Sequence, residues 1–444
     1  MLNSASVMGR YTLTGTVKLT SPLVIRAGVS NDILNDTVDD IVVTYHDGQP
    51  FIPGTSLAGV LRQAIQGLEP VSEDVLFGSI DDKGTQSALQ INDIPLDNTN
   101  IVVRDGIRID DVRGVTEDGA KYDFEVIESG ATGRLRIDCV IRQCHENQVD
   151  KIERALVALA NLLKNGISIG ARTMNGLGRV TCKDISLEYY DFTKPEHVKA
   201  WLLRKAGTSV AIPERCMISE KDLVIDMECC LEDTLLIKSI FEEAWEDKSV
   251  ALFIPGTSIK GVLRHHCSRI LQALGRSNQA VDTLFGYSIE KTNESRKGRV
   301  MVDEVYFDKS FTQEEQPRIR MDRFTGGAMN GALFQDHPVR KGKGKQLAFP
   351  LRMTIKDCSD SEAGLVLLLV KDLMTGQITL GANRTIGYGR IKGNAVTVQY
   401  HGESYGIDGT GKVTEGEATK LEALVQALHQ STEDTMLAKE GAHE

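Results

Sequence analysis

The sequence predicts two tandem α+β domains, each a sheet with helices on one face. Two observations carry this: a long internal repeat, and the same order of strand-like and helix-like segments in each copy. The chain has 444 residues, too many for one ordinary hydrophobic core. FIPGTSLAGVLR (Phe51–Arg62) recurs as FIPGTSIKGVLR (Phe253–Arg264), 202 residues on. LFG (Leu76–Gly78) returns at Leu284–Gly286, and GIRIDDVRG (Gly106–Gly114) returns as RIRMDRFTG (Arg318–Gly326). ISIGARTMNGLGRV (Ile167–Val180) returns as ITLGANRTIGYGRI (Ile378–Ile391). A shared order at nearly constant offset marks a duplicated domain of about 190 residues, too long a period for a solenoid. The predicted layout is a first repeat over 1–190, a linker over 191–215, a second repeat over 216–400 and an acidic tail over 401–444.

Each copy opens with strand-like alternation, YTLTGTVKL (Tyr11–Leu19) and LVIDMECCL (Leu223–Leu231). IPGTS then starts a helix. Proline fixes the approach, glycine permits the turn, and Thr55/Ser56 or Thr257/Ser258 are placed to cap free N–H groups. Leu57, Val60, Leu61, Ala64 and Ile65 form one apolar face; Ile259, Val262, Leu263, Cys267 and Ile270 repeat it. Strands follow at Leu89–Ile94 and Val300–Phe307. A second helix, Val149–Leu163 or Ser361–Met374, leads to a glycine-rich loop and a closing strand. The tail contains one short amphipathic helix, Ala418–Leu428.

Composition excludes several classes. Apolar residues are 41% and charged residues 25%, a globular balance. The longest apolar run, Ala363–Val370, is far short of a membrane span. The first ten residues lack the apolar run of a secretory leader, and eight irregularly spaced cysteines fit reduced thiols; both predict a cytoplasmic protein without a membrane partner. The net charge of -11 is uneven: the last 44 residues carry -6 and the rest -5, which leaves room for a local basic groove.

The candidate chemistry is anion binding. A helix start favours phosphate through its N–H groups and dipole. Arg62 and Arg264 lie two turns in at matching positions, and Lys260 sits near the second start. The alternative is plain capping with surface charge. The glycine-rich loops permit close approach to a polyanion and carry Arg172 with Arg179, then Arg384 with Arg390. A tight turn is the competing reading. Neither loop is a P-loop or a dinucleotide fingerprint. Arg340, Lys341, Lys343 and Lys345 form a basic loop that its counterpart in the first copy lacks. Arg26 and Lys238 are further candidate RNA contacts. Cys139, Cys144 and His145 form C-x4-C-H without a second half-site. Asp32, Asp36, Asp39 and Asp40 lie in or after a loop beside a short apolar strand; such acids can orient a 2′-hydroxyl or hold a divalent ion.

The ordered set of a strand, an Asp-bearing loop, IPGTS-x-x-G-x-x-R, RIRMDRFTGGAMNGALF (Arg318–Phe334) and G-x-G-R resembles the RAMP superfamily, over about four fifths of the chain. More narrowly it is similar to the backbone subunits of type III CRISPR effector complexes, with two repeats fused as in type III-D-like variants. The resemblance implies RRM-like or ferredoxin-like domains with thumb hairpin insertions, here Gly114–Val126 and Gly326–Val339. It implies a guide CRISPR RNA, a target RNA, neighbouring backbone subunits and other effector subunits as partners. It further implies endoribonuclease cleavage of target RNA with a divalent ion (Mg or Mn) and no organic cofactor. By position in the family pattern the catalytic and metal-binding acid is Asp39, with Asp40 beside it. In the second copy the interval to IPG is ten residues shorter, and Asp247 is the substitute acid. Two other readings stay open: a non-catalytic RNA-binding scaffold of the same complex, and a guide-processing RAMP nuclease, for which only His46 sits near the Asp loop.

Overall fold

The computed structural model describes residues 6–27, 40–66, 73–79, 84–109, 116–214, 219–238, 240, 244, 246, 251–289, 294–307, 311–340 and 347–430. The chain divides into two compact units, residues 1–173 with 177–217, and residues 174–176 with 218–444. Each has its own hydrophobic core.

In the first unit the elements are β1 (Val7–Leu19), α1 (Gly54–Ile65), α2 (Glu73–Phe77), β2 (Leu89–Ile91), β3 (Ile101–Ile109), β4 (Thr116–Ile127), β5 (Thr132–Arg142), α3 (Val149–Asn165), β6 (Arg179–Asp191), α4 (Pro195–Leu202) and β7 (Thr208–Val210). The sheet order is β7-β6-β1-β5-β2, antiparallel throughout. With β7 set aside, this is the βαββαβ order of a ferredoxin-like domain. Strand alternation explains the layering. Tyr11, Leu13, Val17 and Leu19 of β1 point into the core with Leu57, Leu61 and Ile65 of α1 and Ile152, Leu156 and Leu159 of α3. The intervening β1 residues point to the other face.

The second unit repeats the plan with β8 (Leu223–Leu231), α5 (Gly256–Ala273), α6 (Gln279–Phe285), β9 (Val300–Val302), β10 (Gln316–Met321), β11 (Ala328–Asp336), β12 (Leu347–Ile355), α7 (Asp360–Met374), β13 (Ile391–Tyr400), β14 (Glu403–Asp408), β15 (Val413–Glu415) and α8 (Ala418–Gln430). Its order is β9-β12-β8-β13-β14-β15. Ser359 caps α7 in a reciprocal capping box with Glu362.

Four expectations change. The linker expected over 191–215 carries α4 and β7 within its described residues, and β7 pairs with β6 as an added edge strand. The segment read as a tail adds β14 and β15 to the second sheet, and α8 lies so close to α7 that a Cβ on Gly364 would stand 2.3 Å from the Leu424 carbonyl oxygen. The thumbs are built on longer strand pairs: β3 (Ile101–Ile109) pairs with β4 (Thr116–Ile127), and β10 with β11 over Gln316–Asp336. The earlier bounds caught mainly the descending strand of each. Finally, the IPG helices start at Pro53 and Pro255 with no side-chain cap, so the Thr-Ser pairs do not cap them.

Candidate nucleic-acid interface

The glycine-rich loop and the hairpin leave the same end of each sheet. In the first unit Gly170 has φ +88°, and a Cβ there would lie 2.2 Å from the Val24 carbonyl oxygen. The loop is thus laid against the short strand after β1, and Ala171 N–H donates to that carbonyl at 2.7 Å. Gly381 meets the Leu236 carbonyl oxygen in the second unit in the same way, at 2.3 Å.

At this junction the first unit builds a clasp. Arg172 adopts φ +58° and turns inward. Its Nη2 lies 3.3 Å from Asp40 Oδ2, and its Nη1 donates to the Tyr122 hydroxyl at 3.1 Å. Its guanidinium sits 4.2 Å from the Phe124 ring centroid and 4.7 Å from that of Tyr122. Arg26 also pairs with Asp40, at 3.0 Å. Glu125 N–H donates to the Asp40 carbonyl at 2.8 Å, and Val42 N–H to the Glu125 carboxylate at 3.0 Å. Val24, Phe124, Val126 and Leu177 form a small apolar cluster beneath.

The second unit builds a counterpart from other residues. Asn383, at φ +59°, stands where the first unit has Arg172 and donates to Asp336 Oδ2 at 3.0 Å. Arg318 Nε lies 3.1 Å from the buried Asp336, and the Arg318 guanidinium stacks 4.8 Å from the Tyr388 ring centroid. Arg384 falls one position beyond this register and is exposed.

Several predicted contacts are therefore committed elsewhere. Asp40, expected as a catalytic acid, has its Oδ2 bound by two guanidinium groups, those of Arg26 and Arg172. Arg172, expected on phosphate, is spent on Asp40 and the hairpin. Arg62 pairs with Glu73 at 3.3 Å and Asp74 at 3.5 Å, tying α1 to α2. Arg264 repeats this with Asp282 at 3.0 Å and the Gly286 carbonyl at 2.5 Å. The matching positions reflect a shared helix pin. The start of α1 is also occupied: Gly54 N–H donates to the Asp93 carboxylate at 2.7 Å, and a Cβ on Gly54 would lie 2.3 Å from the Ile91 carbonyl oxygen. Asp93 thus takes the first N–H that a phosphate would use there.

The remaining candidates divide. Arg26, Lys238, Arg384 and Arg390 are exposed, though Arg390 lies 3.6 Å from Glu232 and Arg340 3.6 Å from Glu314. Arg179 sits at the start of β6, its N–H bonded to the Ser21 hydroxyl at 2.8 Å. Lys260 is largely buried, and burial, then the Arg264 and Lys297 cations, lowers its pKa to about 8. Asp39, Asp247, Lys341, Lys343 and Lys345 lie outside the described residues. Among the described residues no group of three His, Cys, Asp or Glu side chains is placed to hold a metal, and no helix is long and apolar enough to cross a membrane. Cys139 is in the core, where burial pushes its thiol up to about 12, while Cys144 is exposed; the C-x4-C-H segment does not converge.

Sequence reasoning missed a set of cations on the open face of the first sheet. β1 sends Arg10, Thr12, Thr14, Thr16 and Lys18 to that face, and β5 adds Arg134 and Arg136.

Paired ferredoxin-like units, each with a glycine-rich loop and an inserted hairpin at one sheet end, define a class of tandem α+β proteins. The model of the RAMP superfamily matches residues 16–181 and 239–392, one match in each repeat. The chain belongs to the RAMP superfamily. No curated protein matches it.

Proposed function

We propose that the chain is a guide-RNA-binding backbone subunit of a type III CRISPR interference complex, supplying two consecutive backbone units in one polypeptide. The observation that carries this is the repeated pairing of glycine-rich loop and hairpin at one end of each RAMP sheet. The hairpins bear apolar side chains in solvent. Ile101, Val103, Ile107 and Ile109 are exposed in the first, and Ile319, Met321, Leu333, Phe334 and a fully exposed Phe324 in the second. A folded chain keeps such a surface where it meets a partner. An apolar wedge inserted between base steps unstacks them, which suits a hairpin that parts a guide–target duplex.

Target cleavage by the first repeat is the finer part of the proposal. The Arg26–Asp40–Arg172 clasp anchors the residue directly after Asp39 between hairpin and loop. Asp39 would orient the target's 2′-hydroxyl, whose oxygen attacks the adjacent phosphorus as the bond to the 5′-oxygen breaks. Among the described residues no three carboxylate, thiol or imidazole groups are placed to hold a divalent ion, and Asp39, which would be its ligand, lies outside them. The second repeat, with its shorter interval before IPG, acts as scaffold.

The test is a complex assembled with guide and target RNA and carrying Asp39→Ala. Assembly and guide binding should persist and one cut should vanish. Persistence of every cut removes Asp39 from the chemistry. A wild-type complex that binds guide and target without cutting leaves the scaffold reading.

A further inference from the structure

We infer that the open face of the first sheet is a second phosphate-binding surface, which holds single-stranded RNA beside the glycine-rich loop. The inference rests on the RNA-binding reading above and adds to it a site on the sheet itself.

The placement follows from strand register. Thr16 of β1 stands opposite Arg134 of β5 on one side and Lys183 of β6 on the other. Lys18, two residues on, stands between Thr132 and Thr181. With strands roughly 5 Å apart, Arg134 and Lys183 lie about 10 Å apart with Thr16 between them. Lys18, Arg134 and Lys183 are exposed, and none has an ion-pair partner among the described residues. The bordering carboxylates are Asp97, beside Thr132, and Asp184, in the bulge after Lys183.

The other half of the same face is closed. Thr12 donates to Asp138 at 2.8 Å, and Arg136 Nε lies 2.8 Å from the same carboxylate. Arg10 sits 5.2 Å from the Trp201 ring centroid, and the Tyr190 hydroxyl reaches the Lys205 carbonyl at 3.0 Å. The segment around α4 and β7 thus covers the Arg10 end and leaves the Lys18 end bare. That bare end abuts the glycine-rich loop: Thr20 N–H donates to the Arg179 carbonyl at 2.8 Å, and Leu19 N–H to the Ala131 carbonyl at 2.9 Å.

The chemistry fits a polyanion. Cations and threonine hydroxyls are the groups that bind phosphate and sugar oxygens. Among the described residues no large apolar side chain projects from this end, so a protein interface would lack the apolar core such contacts need. Among the described residues no exposed aromatic ring at this end offers base stacking, so binding there would be by phosphate and indifferent to sequence. The second unit does not repeat the set, and Lys392, which stands opposite Cys230 on that face, is paired with Glu232. At the matching register positions stand Cys230 for Lys18, Glu228 for Thr16, Pro350 for Arg134 and Ala395 for Lys183.

The experiment measures the affinity of the full chain for a single-stranded RNA against salt concentration. The variant is Lys18→Gln/Arg134→Gln/Lys183→Gln. The control, Lys151→Gln/Arg154→Gln/Lys199→Gln, makes the same charge change on helix surfaces. Each phosphate contact on a single strand contributes about 0.7 to the slope of log affinity against log salt, so the variant should lose about 2 from it. Over a fourfold rise in salt that is about a 16-fold difference. The control should keep the wild-type slope. A variant slope equal to the control's overturns the inference while RNA binding by the chain stands. Loss of a protein subunit from the assembly, with the RNA slope unchanged, overturns it in favour of a protein interface. Wild-type chain that binds no RNA takes the underlying reading with it.

Discussion

Arg172 separates two roles that predict opposite results. As a phosphate ligand it would leave the fold untouched; as the centre of a clasp it holds hairpin, loop and chain entry together. Consider Arg172→Ala. The change removes a charge-assisted contact to Asp40 at 3.3 Å, a hydrogen bond to Tyr122 at 3.1 Å, and stacking on two rings. A hydrogen bond to a charged group contributes about 1.5–3 kcal/mol. A guanidinium over an aromatic face adds roughly 0.5–1 kcal/mol. The left-handed backbone costs alanine about what it costs arginine, so that contribution cancels. Asp40 keeps Arg26 at 3.0 Å and is not left as an unpaired charge. The net loss is about 2–4 kcal/mol of local stability, because the contacts share one side chain and are not additive. Hydrogen exchange reads it directly. The Val42, Glu125 and Ala171 amides, each bonded at this junction, should exchange at least about thirtyfold faster, since about 1.4 kcal/mol is a factor of ten. Asp40→Asn should couple to the change in a double-mutant cycle. Unchanged exchange, together with a fall of about 0.7 in the RNA salt slope, would refute the clasp and restore the phosphate role.

Further outcomes follow from the same geometry. Arg62→Ala should cost no more than about 1 kcal/mol, since its pairs are partly exposed, and should leave the RNA salt slope alone; a lower slope would make it a ligand. Lys260 has its pKa lowered from 10.5 to about 8, chiefly by burial. Between those values the unfolded chain holds a proton that the folded chain has lost, so stability rises with pH across that window. Lys260→Met should flatten the rise in melts taken from pH 8 to 10, and an unchanged slope contradicts the assignment. Gly178→Ala would place a Cβ 1.9 Å from the Ile169 carbonyl oxygen at φ +77°, and should destabilise the first unit by about 2–4 kcal/mol in urea titration.

The duplication, the order of elements and the core faces were legible because they rest on local periodicity. Leu57, Leu61 and Ile65 are buried as their helical spacing demands, and the β1 alternation holds along its length. What the cations do was not legible, because an arginine's partner is set by tertiary contact. Asp40 and Arg172 are 132 residues apart, and nothing near either names the other. The sequence offers Arg62 as an anion contact because the acids that bind it, Glu73 and Asp74, come from the next helix. The sheet-face cations did leave a signal: R-x-T-x-T-x-T-x-K over Arg10–Lys18 puts every polar side chain of β1 on one face by period two. That pattern becomes a site only when β5 and β6 bring Arg134 and Lys183 to either side of Thr16.

The two clasps show how a repeat keeps a geometry while exchanging its parts. In the first unit the loop gives the cation, and the hairpin gives the rings, Tyr122 and Phe124. In the second the hairpin gives the cation, Arg318, and the loop gives the ring, Tyr388. The acid moves too, from the entry strand at Asp40 to the hairpin at Asp336. Aligned by residue type the two sites share nothing; aligned by backbone they share a left-handed residue at the same loop position, Arg172 or Asn383, bonded to a carboxylate. What both preserve is an ion pair, a stacked guanidinium and a bond from loop to acid at the foot of a hairpin. A lever long enough to reach into a duplex transmits any looseness at its base to its tip, so the base is where rigidity has the most effect. Under the proposed role, exposed hairpin residues such as Ile107 and Phe324 would be free to vary, provided the foot of each hairpin stays fixed to the loop beside it.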